Sequence, residues 1–490
     1  MNNPTPSHID LQAAARKLML ENGFEPEFPA DARQQLSQIM AQPPKVSPGG
    51  DVRDLRQLLW SSIDNDTSRD LDQIEVAERL PDGQIKVLVG VADVDAFVPK
   101  GSPLDRHAAK ETTTVYAGVI IFPMLPEQLS TGASSLLESS DKLCHVVEFT
   151  VNPGGQVTSS DIYPAIVRNK AQLAYNGVGA WLENAGPAPA KVAASAELQA
   201  QLKLQNEAAQ ALRAERFRHG ALTLESTELR PVMDGQKIVD IARQEKNLAT
   251  ELIEDFMVAA NGVVAQMFET RKVSSIRRVV KTPERWDRIV ALAGQKGTKL
   301  PAVADSKALN DFLTKQRTAD PDHFPDLSLA VIKLMGPGEY VLERAGAPEI
   351  GHFGLAVQDY THSTAPNRRY ADVITQRLVK AVLAKQPGPY SDGDLAAIAQ
   401  NCTLKEDAAR KVERGMAKRI AAVAMSSKVG QSFDAIVTGV TPNGTFVRAL
   451  GPHVEGLLIS GHQGLDVGDK LRVKLVRTDP ERGFIDFARA

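Results

Sequence analysis

The sequence predicts an α+β protein in three parts: a small N-terminal helical module, a large mixed domain and a C-terminal five-stranded OB barrel. Three observations lead there. Apolar and polar residues alternate through "QIEVAERL" and "QIKVLVGVADVDAFV", on either side of a "PDG" turn at 81–83. In "NLATELIEDFMVAANGVVAQMFETR" the period changes to that of a helix, with Leu248, Leu252, Ile253, Phe256 and Ala260 along one face. The last sixty residues break into short strands separated by Gly, Pro and Asp.

Taken in order, residues 7–22 read as a helix, with Ser7 and Asp10 as a capping box and Gly23 as the stop. A second short helix spans Ala32 to Met40, and "QPPKVSPGGD" (42–51) is a linker by composition. The module is therefore 1–50. Two short helices suit a helix-turn-helix-like unit or a helical appendage, and a surplus of acids over bases disfavours reading of duplex DNA. The large domain runs from 51 to 427. It holds the hairpin just described, a second in "HVVEFTVNPGGQVTSSDIYPAIV", and helical runs at 196–218, 283–294, 371–385 and 395–427. From 428 to 490, "FDAIVTGV", "TFVRAL", "VEGLLI", "DKLRVKLV" and "FIDFA" are the five strands of a barrel type often used on single-stranded nucleic acid.

Lys and Arg number 57 against 60 Asp and Glu, so no global basic field announces a polyanionic partner. Only Cys144 and Cys402 occur, which excludes a disulfide scaffold or a cysteine-ligated zinc site and fits a reducing compartment. The N-terminus lacks a signal-peptide pattern and no apolar run reaches bilayer length, so the expected location is the cytoplasm, with no membrane partner.

The stretch "SSIDNDTSRDLDQIEV" (61–76) gathers Asp64, Asp66, Asp70, Asp72 and Glu75, and like charges this close need a reason. Counted from Asp64, oxygen side chains fall at calcium-loop positions, but Arg69 stands where the loop's sharp turn demands glycine, and a hairpin follows instead of a helix. A solvated acidic loop explains the charge alone. Yet Asp70-Leu71-Asp72 sets two carboxylates on one side of an extended segment with Leu71 turned inward, an arrangement suited to a hard divalent cation.

This stretch resembles the catalytic signature of the ribonuclease II family of exoribonucleases. Three more stretches agree in order: "TTTVYAGVIIFPMLPEQLSTGASSL" (112–136), "ELIEDFMVAAN" (251–261) and "HFGLAVQDYTHSTAPNRRYADVITQRL" (352–378). The resemblance covers about Ile63 to Arg419, and the C-terminal barrel resembles the RNA-binding module of ribosomal protein S-one type. It implies a catalytic domain that hydrolyses RNA processively from a free 3′ end to 5′-mononucleotides, with Mg²⁺, or Mn²⁺ as the alternative. The family holds its metal with four aspartates. Asp64, Asp70 and Asp72 match three, and Gln73 stands at the fourth, offering an amide oxygen without charge. Asp66 is the carboxylate that would compensate, and nothing in the sequence places it on the ion.

By the same resemblance Arg368 faces the phosphate, where charge builds in the transition state. Tyr116 stacks on the 3′-terminal nucleotide, and Tyr175 covers the same end. Glu254 and Glu413 contact terminal nucleotides, and the family's aromatic clamp partner falls at Leu224. His352 and His362 lack metal-ligand spacing and read as structural. On the barrel Phe446, Asp479 and Arg482 suit an RNA face, while Asn443 replaces a frequent aromatic. Across 361–420 eleven Lys and Arg outnumber six acids, an expected backbone-binding patch. Family members usually carry two cold-shock barrels ahead of the catalytic domain. Fifty residues of helical pattern precede it here, so a less fenced entrance and some tolerance of structured RNA are expected. The expected partner is RNA with a free 3′ end, and the expected state a monomer.

Overall fold

The computed structural model describes residues 9–44, 50–225, 228–234, 237–244, 246–321, 323–347 and 351–490. The N-terminal module is two helices, α1 (Leu11–Glu21) and α2 (Ala30–Ala41). Asp10 caps α1 by accepting the Ala13 N–H at 2.9 Å; Ser7, expected in that cap, lies outside the described residues.

The large domain's sheet is built by β1 (Arg53–Asp54), β2 (Ser61–Asp64), β3 (Gln73–Arg79) and β4 (Ile85–Ala92). Next come α3 (Pro103–Glu111), the ribbon β5 (Val115–Tyr116) and β6 (Ile121–Phe122), and then β7 (Asp141–Val151), β8 (Val157–Arg168) and β9 (Ala171–Ala174). Seven strands take the order β1-β8-β7-β4-β3-β2-β9. Both expected hairpins, β3/β4 and β7/β8, are antiparallel pairs in this sheet. They pair with each other through β4 and β7, which places β3 and the acidic loop deep in the sheet.

Helices α4 (Tyr175–Leu182), α5 (Ala190–Ala193) and α6 (Ala196–Arg218) follow, then the ribbon β10 (Glu228–Asp234) and β11 (Lys237–Gln244), and α7 (Leu248–Arg271). Asn247 and Thr250 form a capping box at the start of α7. Leu252, Ile253, Phe256 and Ala260 of α7 enter the main core, Phe256 meeting Phe149 of β7 edge to face at 6.2 Å. Each fully buried side chain of this kind contributes about 1.5–3 kcal/mol by leaving water.

Beyond α7 lie β12 (Ser275–Val279), α8 (Trp286–Gln295), α9 (Ser306–Ala319), α10 (Phe324–Met335), β13 (Glu339–Glu343), α11 (Tyr370–Leu383) and α12 (Asp392–Ser426). Helices α8 to α10 close their own apolar cluster around Trp286, Phe312 and Phe324. The C-terminal strands β14 (Ser432–Thr441), β15 (Gly444–Ala449), β16 (Glu455–Ser460), β17 (Lys470–Asp479) and β18 (Phe484–Arg489) form a closed barrel in the order β14-β15-β16-β18-β17. Only β16 and β18 run parallel, the topology of an OB fold.

Helix α12 ties the parts together. Ile420, Ala421 and Met425 share a core with Val473 and Phe487 of the barrel, while Val412 and Met416 pack with Ala15 and Met19 of α1. Gly483 turns at φ +72°, and a Cβ there would come within 3.0 Å of the Arg419 backbone nitrogen, so glycine permits the close seat. Arg448 adds a two-pronged bond to Asp326 of α10 at 2.8 and 2.9 Å. The N-terminal helices thus lie against the large domain as a packed appendage, and Leu18 of α1 stands 3.2 Å from where a Cβ on Gly415 would be.

Candidate active site

The acidic loop is fixed from below. Leu71 is buried, its N–H donates to Ser135 Oγ at 2.9 Å, and its carbonyl accepts the Leu136 N–H at 3.0 Å. That turns Asp70 and Asp72 outward from the strand at one level, as alternation requires. Asp70 is half-buried, Asp72 is 3% exposed, and Asp66 sits on the exposed turn before them.

A second loop, 361–369, meets the first. Thr361 Oγ1 donates to the Ile276 carbonyl, and Ser363 donates from both N–H and hydroxyl to Asn261 Oδ1 at 2.8 Å. Buried Asp372 accepts the Ala365 N–H at 2.8 Å and both prongs of Arg369 at 2.8 and 2.7 Å. These bonds deliver the Asn367 N–H to Asp72 Oδ1 at 2.8 Å and the Arg368 Nε to 3.5 Å from Asp72 Oδ2. The ends of two motifs 296 residues apart therefore converge on one carboxylate.

Tyr116 completes the rim. Its hydroxyl donates to Asp70 Oδ2 at 3.2 Å and its backbone N–H to Glu413 Oε1 at 3.1 Å, and the residue is 41% exposed. A cavity of about 230 Å³ opens beside it, lined by Tyr116, Arg368, Arg369, His362, Arg410 and Glu413 among others. An aromatic face held next to a guanidinium and paired carboxylates can grip a base, meet a phosphate and hold a cation.

Electrostatics mark the same residues. Burial pushes the Asp72 carboxyl up to about 7, Asp70 and Asp372 add to the shift, and Arg368 and the Asn367 N–H oppose it. Burial also raises Asp64, against bonds from the Asn65 N–H and the Ser68 hydroxyl. The Tyr116 and Tyr175 hydroxyls are raised by burial too, Tyr175 feeling Asp64 and Glu75. Among the described residues no three His, Cys, Asp or Glu side chains are already gathered around one point. The donor set still fits a hard divalent ion. Its oxygens are carboxylates crowded against their own repulsion, and buried Glu75 leaves both Oε atoms without a partner.

Asp64, Asp70, Asp72, Arg368, Tyr116, Tyr175 and Glu413 are thus linked in one region by bonds and fields. Glu254 stands elsewhere in its contacts: against the cost of burial, Lys246 at 2.8 Å and the guanidinia of Arg216 and Arg213 hold its carboxyl down. Leu224 packs on the α8–α10 cluster. Phe446 is half-buried on β15 and Arg482 is exposed beside Asp479, in the turn that rests on α12. His362 bonds Tyr340 through Nδ1 at 2.8 Å, and His352 and His362 stack edgewise on Tyr360, as structural histidines do.

The basic stretch 361–420 needs correction as a free patch. Arg377 is buried on Asp95 and Asp105, Lys380 pairs with Asp93 and Asp95, and Arg369 is spent on Asp372. Among the cations that do face solvent, Lys411, Arg414 and Lys418 form a narrower stripe, three and four residues apart along α12. Sequence reasoning also passed over Asp372 and Asn261, which hold the arginine loop. For Asn261 the signal was a polar residue among apolar helix neighbours, Met257, Val258, Val264 and Ala265; Asp372, with Thr375 and Gln376 at helical spacing, carried none.

Comparison with known proteins agrees with this geometry. The RNB domain model matches residues 52–385, and the RNase II-type exonuclease C-terminal S1 domain model matches residues 431–490. Ribonuclease R of Thermotoga maritima is 31% identical over 94% of this chain and 68% of its own length. Ribonuclease R of Escherichia coli is 29% identical over 88% of this chain and 54% of its own, so the chain spans roughly half to two-thirds of these relatives. Mycoplasma genitalium RNase R, solved in complex with double-stranded RNA, has the same fold at a TM-score of 0.86, with 24% identity, 98% of this chain and 83% of that one covered. With the RNB model spanning more than half of its length and the exonuclease S1 model its C-terminus, the chain belongs to the RNase II-type exoribonucleases.

Proposed function

We propose that this protein degrades RNA from a free 3′ end, processively, to 5′-mononucleotides, acting as a cytoplasmic monomer with Mg²⁺ at the acidic loop. The observation that carries the reading is the convergence of Arg368 and the Asn367 N–H on buried Asp72, beside a tyrosine tethered to Asp70.

Asp64, Asp70 and Asp72 would hold the cation, which when bound supplies Lewis acidity toward a phosphoryl oxygen. The protein's own groups do the rest. Tyr116 is half-exposed and offers its ring to the terminal base, a grip indifferent to sequence. Arg368 lies where negative charge gathers as the phosphodiester is attacked, and it is pre-placed by its loop, so no reorganisation is needed during the step. Lys411, Arg414 and Lys418, with the barrel turn bearing Arg482 packed next to them, offer a cationic track for the trailing strand.

Both cysteines are buried and unpaired, which supports a reducing location. Tolerance of some structured RNA is part of the same reading, supported by the fold shared with an RNase R solved on double-stranded RNA. The test is purified protein on a linear RNA, a circle of the same sequence and a hairpin with a 3′ tail, each with Mg²⁺ and with EDTA. The linear RNA and the hairpin should be consumed with Mg²⁺, and the circle should survive. Cleavage of the circle would make the enzyme an endonuclease, and hairpin products that retain the duplex would remove the structured-RNA part.

A further inference from the structure

Two adjacent serines, Ser134 and Ser135, each hold one of the two loops that meet at Asp72. They follow a single π-helical turn, Leu129–Ala133, a local form that recurs at functional sites. Ser135 serves the acidic loop: its hydroxyl accepts the Leu71 N–H at 2.9 Å and donates to the Arg69 carbonyl at 2.7 Å. Ser134 serves the arginine loop. Its hydroxyl donates to Asn367 Oδ1 at 2.6 Å, with the Leu129 carbonyl also in reach at 2.9 Å. All three side chains are buried.

Asn367 is thereby held at both ends. Its backbone N–H is on Asp72 Oδ1 at 2.8 Å, its side chain is on Ser134, and Arg368 is the next residue. The peptide that leads into Arg368 is then not free to turn about the Asp72 bond, which gives the guanidinium a fixed starting point. The other anchors of this loop, Asn261 and Asp372, hold Ser363, Ala365 and Arg369 rather than the residue on Asp72. Burying an amide here is also costly. Asn367 Nδ2 is enclosed without a hydrogen-bond partner, whereas a leucine of nearly the same size would leave no orphan donor.

Resting on the reading of Asp72 and Arg368 given above, we propose that Ser134 and Asn367 are positioning residues for the reaction, a brace that sets the peptide before Arg368 and so the reach of its guanidinium to the phosphate beside Asp72. A misplacement of about 1 Å in a reacting geometry lowers a rate on the order of a hundred-fold, so one buried hydrogen bond at this point is enough to matter.

The experiment measures single-turnover hydrolysis of a 3′-labelled oligonucleotide at saturating protein with Mg²⁺, RNA affinity in EDTA, and thermal melting. It compares wild type, Ser134→Ala, Asn367→Leu, their double variant, Arg368→Ala, and Ser134→Ala in the Arg368→Ala background. Each single brace variant should turn over about ten- to a hundred-fold more slowly and bind RNA as wild type does. Ser134→Ala should melt lower, because it leaves the Asn367 amide unpaired. The double variant, with both polar partners gone, should melt close to wild type again, yet its turnover should stay low. A bond that only stabilises the fold would restore melting and turnover together, and that result would overturn the assignment, as would wild-type turnover in Ser134→Ala. In the Arg368→Ala background Ser134→Ala should cost little more, since residues acting through one another do not add. A full additional loss there would equally overturn it. Wild-type turnover in Arg368→Ala would end the reading of the site and the brace with it, whereas a slow Arg368→Ala beside an unaffected Ser134→Ala removes the brace alone. Should Asn367→Leu not fold, Ser134→Ala carries the test, because the Ser134 backbone N–H keeps the Leu129 carbonyl at 3.0 Å.

Discussion

Replacing Arg368 with alanine separates catalysis from binding, and the structure sets the size of each effect. The side chain is 43% exposed and stands 3.5 Å from Asp72, so as an ion pair it contributes at most about 1 kcal/mol to stability. Its backbone does the structural work. The carbonyl accepts the Thr114 N–H at 2.9 Å and the N–H reaches the Ala365 carbonyl, and truncation removes neither. The loop should therefore keep its shape, with the Asn367 N–H still on Asp72. Ground-state RNA binding loses one cation of several, while the transition state loses the donor aimed at its growing charge. That loss is about 10²–10³ in turnover, or roughly 2.7–4 kcal/mol. Single-turnover decay of a 3′-labelled oligonucleotide at saturating protein gives the rate, and equilibrium binding in EDTA gives the affinity. A thousand-fold loss of affinity with turnover preserved at saturation would refute the reasoning, because it would make Arg368 a binding residue only.

Other consequences follow from the same geometry. Asp72→Asn should abolish hydrolysis, hold RNA nearly as well as wild type and melt no lower in EDTA, since its amide oxygen can still accept the Asn367 N–H; turnover near wild type would remove Asp72 from the site. Asp372→Ala strands the Arg369 charge and the Ala365 N–H, and should cost about 3–5 kcal/mol of stability together with turnover, which thermal melting checks. His107, buried against Phe28 of the N-terminal module, is depressed to about 4 by burial. The unfolded chain takes up that proton near pH 6.5 and the folded chain resists it until about 4. Stability from this group is thus complete above pH 6.5 and falls as pH drops through that window, by up to about 3 kcal/mol. Urea midpoints from pH 7 to 4 should fall more steeply in wild type than in His107→Gln, and parallel slopes would contradict the assignment.

How much of this was legible in the sequence depends on how local each cause is. The β3/β4 hairpin, α7 and the barrel strands announce themselves because alternation, period and turn residues are written within a few positions of one another. Helices α9 and α10 were not read. Their apolar faces are short, they close a satellite cluster of their own, and α10 opens on a proline that reads equally as a loop. The N-cap of α1 is Asp10, because the residue whose side chain can reach the third following N–H decides a cap. In the site, the order of the motifs identified Asp72 and Arg368 as partners in chemistry, but their 3.5 Å separation depends on Asp372, Asn261 and Ser363 pinning a distant loop. Counting cations overstated the basic patch for the same reason: Arg377 and Lys380 are neutralised by Asp93, Asp95 and Asp105, acids far away in the chain. Glu75 looked like one more charge in an acidic run, and only the neighbouring strands make it buried and unpartnered.

The most direct test of the central claim is the identity of the first product. Wild-type protein is mixed with a single-stranded RNA labelled at its 3′-terminal phosphodiester, with Mg²⁺ present, and the release is resolved in time. The account predicts that label appears at once and only as a 5′-mononucleotide, with no shortened oligonucleotides carrying it, and that EDTA abolishes the release. Label appearing first in oligonucleotides, or RNA held intact through many binding lifetimes with Mg²⁺ present, would contradict it.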